Sequence, residues 1–340
     1  MGKGLIPADP ITWKARRRAI VPGFHKKWLQ AMCNTFVKCN NPLVSKMQQA
    51  VDSGNTLNME TEFCSVSLDI IGKAVFNYEF GSVTNESPVV KAVYSALQEA
   101  ERRSTSFIPY WNIPFANKMM PTLQKFESDM KLLNGVLNEL IAKALETQED
   151  IDEEDLQNRD YDNMENPSLL RFLVDMRGEE ASSTQLRDDL MTMLIAGHET
   201  TAAVLTWTMY ELSQNDKLLS QVRAEIDEVL GDRDPTYEDM LRLKLVRLCL
   251  AETLRMYPEP PLLIRRALSD DVFPAGGAGH KTIIPRGTDV FISTWNMHRS
   301  PDFWEDPDTY NPHRFLKEFK NPEQTNWAGY TPAENRLYPN

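Results

Sequence analysis

The chain has 340 residues, 41% of them hydrophobic, and a formal net charge of −12. This length can bury a large core, whereas nucleic acid is disfavoured as a partner because phosphate binding needs a basic face. The four cysteines lack the spacing of a metal site and are expected to be reduced core residues: Cys33, Cys39, Cys64 and Cys249.

The N-terminal half is predicted to be helical. Asp9-Pro10 begins a helix in the favoured way, with an acid at the cap and proline in the first turn, and Pro22-Gly23 ends it. Hydrophobic periodicity predicts further helices over residues 26–52, with a break at Pro42, and over residues 59–75, 88–103, 123–146 and 169–177. The aromatic stretch 107–115 is expected to be a packed loop, and the acidic stretch at about 148–166 a solvated linker.

Residues 182–215 predict the longest helix. Ser182 and Gln185 fit a capping box, and apolar residues on nearly every face between residues 190 and 209 predict burial. A polar run, Ala196-Gly197-His198-Glu199-Thr200-Thr201, lies in the middle. Because a buried acid is costly without a partner and glycine weakens a helix, we expect a local bulge with something packed against it. The alternative is a core helix whose hydroxyls bond back to the preceding turn.

Two other interpretations of this helix fail. His198 and Glu199 lie near its centre and disfavour a membrane span. The same pair opens like the helix of a zinc protease, but the position of the second histidine is occupied by Ala202.

The C-terminal half adds the first strand signals. Helices are predicted over residues 216–230, 237–243 and 245–257. Glu252 and Arg255 share one helix face, and their apolar neighbours predict that this ion pair is buried in a larger network. Strands are predicted over residues 262–268, 282–284 and 289–293, the last two joined by a hairpin turn at Pro285-Arg286-Gly287. Proline-punctuated residues 296–319 are expected to form an ordered meander.

Four motifs stand in one order: Trp13-x-x-x-Arg17, Ala196-Gly197-His198-Glu199-Thr200-Thr201, Glu252-x-x-Arg255 and Pro312-His313-Arg314-Phe315. Together they resemble the cytochrome P-450 family of haem-thiolate monooxygenases over nearly the whole chain. The resemblance implies a mainly α fold in one incomplete domain, residues 1–340, with a long central helix over the haem, a helical bundle and a small β-sheet region. His313 replaces the glutamate that is commoner at this place in the family.

The resemblance also implies which residues contact the cofactor, heme. Trp13 and Arg17 would bind one haem propionate, and Arg266, in the strand after the Glu252 helix, would bind the other. Ala196 and Gly197 would lie against the oxygen pocket, on the distal face of the haem.

The same resemblance gives the remaining site residues their roles. Glu199 would be the proton source during oxygen activation, and Thr200 the hydroxyl beside the oxygen. Glu252, Arg255 and Arg314 would form a buried triad that braces the proximal side. The iron-ligating cysteine is expected beyond the end of this chain, in a loop of the form F-x-x-G-x-x-x-C-x-G, and a targeting or anchor segment before its start. We therefore expect the chain as given to hold no metal ligand and to be inactive.

A closer resemblance, to the carotenoid-ring hydroxylases of plants and algae, rests on GKGLIPADPITWKARRRAIVPGFH, AGHETTAAVLTWTMYEL and YPEPPLLIRRA. It implies hydroxylation of a C–H bond of a hydrophobic substrate, a carotenoid ring, in a plastid. O2 and electrons from a ferredoxin or an NADPH-dependent reductase would be needed, and association with a membrane surface is a further expectation. A fatty-acid or other lipid hydroxylase and a non-catalytic remnant stay open. An isomerase of the same fold is disfavoured, because it would not need the proton relay of Glu199-Thr200.

Overall fold

The computed structural model describes residues 4–6, 8–24, 26–85, 88–146, 168–177, 183–273 and 281–318. They group into two compact units. The first comprises the chain up to Ala202 together with Asp234–Tyr237, and the second Ala203–Arg233 together with the chain from Glu238 onwards. That both belong to the one predicted domain stays a prediction. The acidic stretch at about 148–166 lies outside the described residues.

Helices make up the described part of the first unit: α1 (Pro10–Ile20), α2 (Lys26–Ser53), α3 (Met59–Phe76), α4 (Pro88–Thr105), α5 (Ala116–Met119), α6 (Pro121–Glu146), α7 (Leu169–Arg177) and the larger part of the central helix α8 (Ser183–Ser213). The Asp9 carboxylate caps α1 as predicted, since it accepts hydrogen bonds from the amides of Ile11 and Thr12 at 3.0 and 3.1 Å. Ser182, the predicted cap of α8, lies outside the described residues.

Leucines from four helices form the centre of this unit's core. Leu68 of α3, Leu133 of α6, Leu173 of α7 and Leu190 of α8 are at most 1% exposed. Each such burial stabilises the folded chain by about 1.5–3 kcal/mol. The predicted burial of α8 is therefore confirmed for one face of this part of the helix, whereas the opposite face is exposed at Ala196, Glu199 and Thr200. The prediction is wrong near the end of the predicted range, where Trp207 is 38% exposed and Met209 43%.

Two predicted helix interruptions are wrong. α2 runs through Pro42, because the neighbouring Leu43 is buried against Val66 and Val83 and this packing outweighs one lost backbone hydrogen bond. α8 passes through its polar run without a bulge. Something does pack there, since a Cβ on Gly197 would lie 2.3 Å from Cδ1 of Ile71, on α3. The glycine serves close helix packing rather than a bulge.

The stretch 107–115 is not a packed loop, contrary to the prediction. It contains a short 3-10 turn, Tyr110–Asn112, and its apolar side chains lie at the surface: Phe107 is 103% exposed and Phe115 69%. The contacts that hold it come from the tyrosine and tryptophan of that turn, which leaves the purely apolar residues outside.

The second unit combines helices with short strands. After the end of α8 it holds α9 (Asp216–Leu230), α10 (Tyr237–Arg242), α11 (Lys244–Met256), β1 (Leu262–Arg266), β2 (Asp271–Phe273), β3 (Thr282–Ile284), β4 (Asp289–Ser293), α12 (Thr294–His298) and a 3-10 turn at Pro312–Leu316. The first residue of α10 groups with the first unit. Residues between α12 and the 3-10 turn are irregular, as the predicted meander requires.

The predicted hairpin between β3 and β4 is wrong. β4 pairs with β1 and β3 pairs with β2, both antiparallel, with Ile264 opposite Phe291 and Val272 opposite Ile283. The chain does turn at Pro285-Arg286-Gly287, with Gly287 at φ 87°, but this turn connects the two strand pairs and does not close a hairpin between β3 and β4. There the amide of Gly287 donates to Ala267 on the opposite side, so the chain crosses from one strand pair to the other without reversing.

None of the helices in the described part of the chain is both long enough and apolar enough to cross a membrane.

The approach of Ile71 to Gly197 gives a stability prediction with a built-in control. Gly197→Ala should lower the free energy of unfolding by about 1–3 kcal/mol, because the new methyl group overpacks the α3–α8 contact. Gly135→Ala, in α6 with open space around its Cβ, should raise it by about 0.5–1 kcal/mol through the entropy of the unfolded chain. Urea denaturation measures both, and a stabilising Gly197→Ala would contradict the packing.

Candidate functional site

The second unit brings Glu252, Arg255 and Arg314 together. Glu252 is 0% exposed, and its carboxylate accepts hydrogen bonds from Nε and Nη2 of Arg255 and from Nε of Arg314, each at 2.9 Å. The Asn311 amide donates to the same carboxylate at 2.9 Å. α11 supplies Glu252 and Arg255 three residues apart on one face, and the 3-10 turn supplies Arg314.

Backbone carbonyls take up the remaining guanidinium donors of this triad. Arg255 donates from Nη1 to the carbonyl of His298 at 2.7 Å, and Arg314 donates from Nη2 to those of Thr309 and Asp306 at 3.0 and 3.1 Å. A buried ion pair is tolerable only with such additional hydrogen bonds. The triad therefore fixes the irregular segment before the 3-10 turn against α11.

The polar run of α8 presents a narrow polar stripe in the first unit. Ala196, Glu199 and Thr200 are exposed at positions i, i+3 and i+4, which share one helix face. The Thr200 hydroxyl donates to the carbonyl of Ala196 at 2.7 Å, as in the back-bonded alternative. Partial burial, and secondarily the charge of Glu101, raises the pKa of Glu199. An acid with a raised pKa beside a hydroxyl can hold and pass a proton.

Sequence reasoning missed the histidine of this run as a structural element. His198 is 0% exposed, its ring meets the edge of Tyr94 at 5.4 Å between centroids, and neither ring nitrogen has a hydrogen-bond partner among the described residues. Burial lowers the pKa of His198 to about 4. The signal was available, because Leu194, His198 and Ala202 are spaced by four residues on the buried stripe.

Trp13 and Arg17 lie together on the outer face of α1. Trp13 is 42% exposed, and the Arg17 guanidinium lies 5.5 Å from the centre of its ring. With Lys14, Arg18 and Val21 they line an open cavity of about 350 Å³. An indole N–H and several cations form a donor set suited to a carboxylate or phosphate.

Arg266 lies in the second unit, on β1. It makes a two-pronged ion pair with Asp289 of β4, with both N···O distances at 2.7 Å. Its predicted contact with a propionate stays a prediction, as does that of Gly197 with the oxygen pocket.

The four thiols do not resemble metal ligands. Cys33, Cys64 and Cys249 are buried. Burial raises the pKa of Cys39 and of Cys249 to about 11 and also raises that of Cys64, whereas a ligand must be thiolate. Within the described ranges no group of three or more His, Cys, Asp or Glu side chains could hold a metal. That the axial cysteine lies outside this chain stays a prediction.

A solved structure defines the class to which this fold belongs. The chain is similar to the heme domain of a cytochrome P-450 mutant, with a TM-score of 0.75 and 25% identity over 92% of this chain and 64% of that one. The fold is therefore the cytochrome P-450 fold, mainly α with small sheets.

Sequence comparisons give the family. The family model for cytochrome P-450 matches residues 1–332. Cytochrome P-450 97B1, chloroplastic, of Pisum sativum is 53% identical over the whole chain and 64% of its own length. Carotene epsilon-monooxygenase, chloroplastic, of Arabidopsis thaliana is 44% identical over 96% of the chain and 59% of its own length. The chain belongs to the cytochrome P-450 family, and it spans about three-fifths of the length of these relatives.

The family implies a haem-thiolate cofactor, and the residues present fit parts of that group. The outer face of α1 offers donors for its acidic arms, and the small Ala196 leaves room beside the polar stripe of α8. The Glu252 triad is a buried, hydrogen-bonded structural support within the second unit.

The buried His198 gives a pH prediction. The pKa of His198 in the folded chain, about 4, lies below the ordinary 6.5. Its contribution to the free energy of unfolding is therefore fully present above pH 6.5 and is lost as the pH falls towards 4. The slope reaches about 1.4 kcal/mol per pH unit. His198→Phe should flatten this part of the stability profile, whereas His313→Gln, at an exposed position, should not. Identical slopes for the unaltered chain and His198→Phe would contradict a neutral buried imidazole.

Proposed function

We propose that the protein to which this chain belongs is a haem-dependent monooxygenase that hydroxylates a C–H bond of a carotenoid ring, in a plastid. The observation that carries the proposal is the stripe of Ala196, Glu199 and Thr200 on a helix otherwise rich in buried residues. The substrate and the compartment are supported by its relatives, which include a carotene epsilon-monooxygenase and two other chloroplastic proteins.

The bound haem would supply the oxygen-activating chemistry, and the chain's own residues would hold it and move protons. Trp13 and Arg17 would bind a carboxylate arm by hydrogen bonds and charge. Glu199, with its raised pKa, would carry a proton from solvent along the stripe. The Thr200 hydroxyl donates its proton in a hydrogen bond to the Ala196 carbonyl. Its oxygen therefore still has lone pairs that can accept a hydrogen bond from Glu199 or water.

Electrons would come from a redox partner, as the family membership implies. Ferredoxin and an NADPH-dependent reductase are the two candidates.

A test of function uses the protein extended to the length of its relatives. We expect reduced ferredoxin and O2 to convert a carotene into its ring-hydroxylated product. Conversion of a fatty acid instead would favour the lipid-hydroxylase alternative, and failure with both substrates would favour the non-catalytic remnant.

The proton relay predicts the behaviour of one hydroxyl. In the extended protein Thr200→Ala should leave substrate binding unchanged but divert electrons from product to hydrogen peroxide. The reason is that the proton carried by Glu199 would no longer be delivered through the Thr200 hydroxyl. Thr201→Ala, the next residue and also exposed, is the matched control and should keep product and electron use coupled. Equal coupling in both variants would remove Thr200 from the relay.

Membrane-surface association is part of the same proposal. The Tyr110 hydroxyl donates to Glu99 at 2.9 Å, and Arg103 lies 5.5 Å from the Trp111 ring, so the stretch 107–115 is anchored to α4 while Phe107 and Phe115 point outwards. Exposed aromatic side chains on a fixed loop suit the headgroup boundary of a bilayer.

Vesicle binding tests this association. Replacing Phe107 and Phe115 by serine should reduce sedimentation of the chain with phosphatidylglycerol-containing vesicles. Ile11→Ser, which removes an 84% exposed apolar side chain elsewhere, should leave sedimentation unchanged. Equal losses would mean that the loop is not the contact.

A further inference from the structure

Helix α1 has a charged residue on its inner face. Trp13 and Arg17 are exposed, whereas Arg16 is only 7% exposed and shares the buried face with Ile20, four residues later. Nη1 of Arg16 donates to Oδ1 of Asp189 at 3.1 Å, and Asp189, on α8, is 0% exposed. A buried ion pair thus links α1 to the central helix within the first unit.

This ion pair is better suited to fixing the orientation of α1 than to stabilising the fold. Removing two charges from water costs about as much as their attraction returns, so apolar side chains could hold α1 equally well. The ion pair differs because its Nη1–Oδ1 hydrogen bond forms only over a limited range of side-chain positions. Successive helix residues are rotated by about 100°, so a fixed Arg16 side chain determines where Arg17 and Trp13 point.

The α8 end of the pair rests on a tightly packed segment. A Cβ on Gly4 would lie 2.3 Å from the carbonyl oxygen of Asp188, and the Thr192 hydroxyl donates to that same carbonyl at 3.0 Å. The neighbouring Leu190 is 0% exposed. Asp189 therefore has little freedom to follow Arg16, and α1 must turn to meet it.

We propose that Arg16 and Asp189 are positioning residues for the anion-binding face of α1. Their buried ion pair fixes the rotation of α1, so that the Trp13 indole and the Arg17 guanidinium reach the same carboxylate arm of the cofactor. The inference rests on the proposed haem-dependent function. Arg16 itself faces inwards and acts through Arg17.

The test uses the 340-residue chain and two metal-free probes, protoporphyrin IX and its dimethyl ester, in fluorescence titrations. The ester has the same ring but no acidic arms. Asp189→Asn, which changes charge but hardly changes shape, should weaken protoporphyrin binding about tenfold, the equivalent of 1.4 kcal/mol. It should leave binding of the ester unchanged. Arg16→Gln should behave alike.

A double-mutant cycle separates positioning from packing. If Arg16 acts through Arg17, then Arg16→Gln should add little to Arg17→Gln. Lys46→Gln is the control for breaking an ion pair elsewhere in the unit, since Lys46 lies 2.7 Å from the largely buried Glu62. It should change binding of neither probe. Thermal melts identify a variant that does not fold, and Asp189→Asn then replaces Arg16→Gln in the cycle.

Three results would overturn the proposal: equal losses for acid and ester, effects of Arg16→Gln and Arg17→Gln that multiply, or an unaltered chain that does not prefer the acid over its ester. Failure of the proposed function is distinguishable, because it would appear as absence of hydroxylated product from the extended protein while the acid preference of the chain persisted.

Discussion

The buried carboxylate of Glu252 is the constraint around which the second unit is arranged. An unpaired charge at 0% exposure would cost several kcal/mol, so Arg255, Arg314 and the amide of Asn311 all converge on it. Each guanidinium then needs backbone carbonyl partners. The segment between α12 and the 3-10 turn supplies several of them and is held in place by these hydrogen bonds, although it has no regular secondary structure. One buried charge thereby helps to order a stretch that has no regular secondary structure.

In the first unit the same physics separates two kinds of polar residue on α8. Asp189 is buried with a cationic partner from α1, and His198 is buried as a neutral ring. Glu199 and Thr200, one and two residues further on, are exposed instead. Functional chemistry is available on the exposed stripe because the buried polar groups next to it are already neutral or paired, and so hold the helix without competing for protons.

Much of the fold follows from the sequence, because helical periodicity and the Asp9 cap are local signals that tertiary contacts then reinforce. The errors arose where a distant residue decides the outcome. Packing of Leu43 carries α2 through Pro42, the ribbon partner of β3 is β2 rather than its neighbour β4, and Phe107 turns outwards. Spacing alone predicted Glu252 with Arg255, but Arg314 is 62 positions beyond Glu252 and came from family resemblance. The Arg16–Asp189 pair, across 173 positions, had no local signal.

The most direct test of this account is the stability of Glu252→Ala, measured by chemical denaturation of the chain beside Glu139→Ala. Glu139 also forms an ion pair, with Lys143 at 2.8 Å, but both side chains are about two-thirds exposed. We predict a loss of ~3–5 kcal/mol in the free energy of unfolding for Glu252→Ala, since two buried guanidinium groups lose their counter-charge, and little change for Glu139→Ala. Equal, small effects of the two substitutions would contradict a second unit arranged around one buried carboxylate.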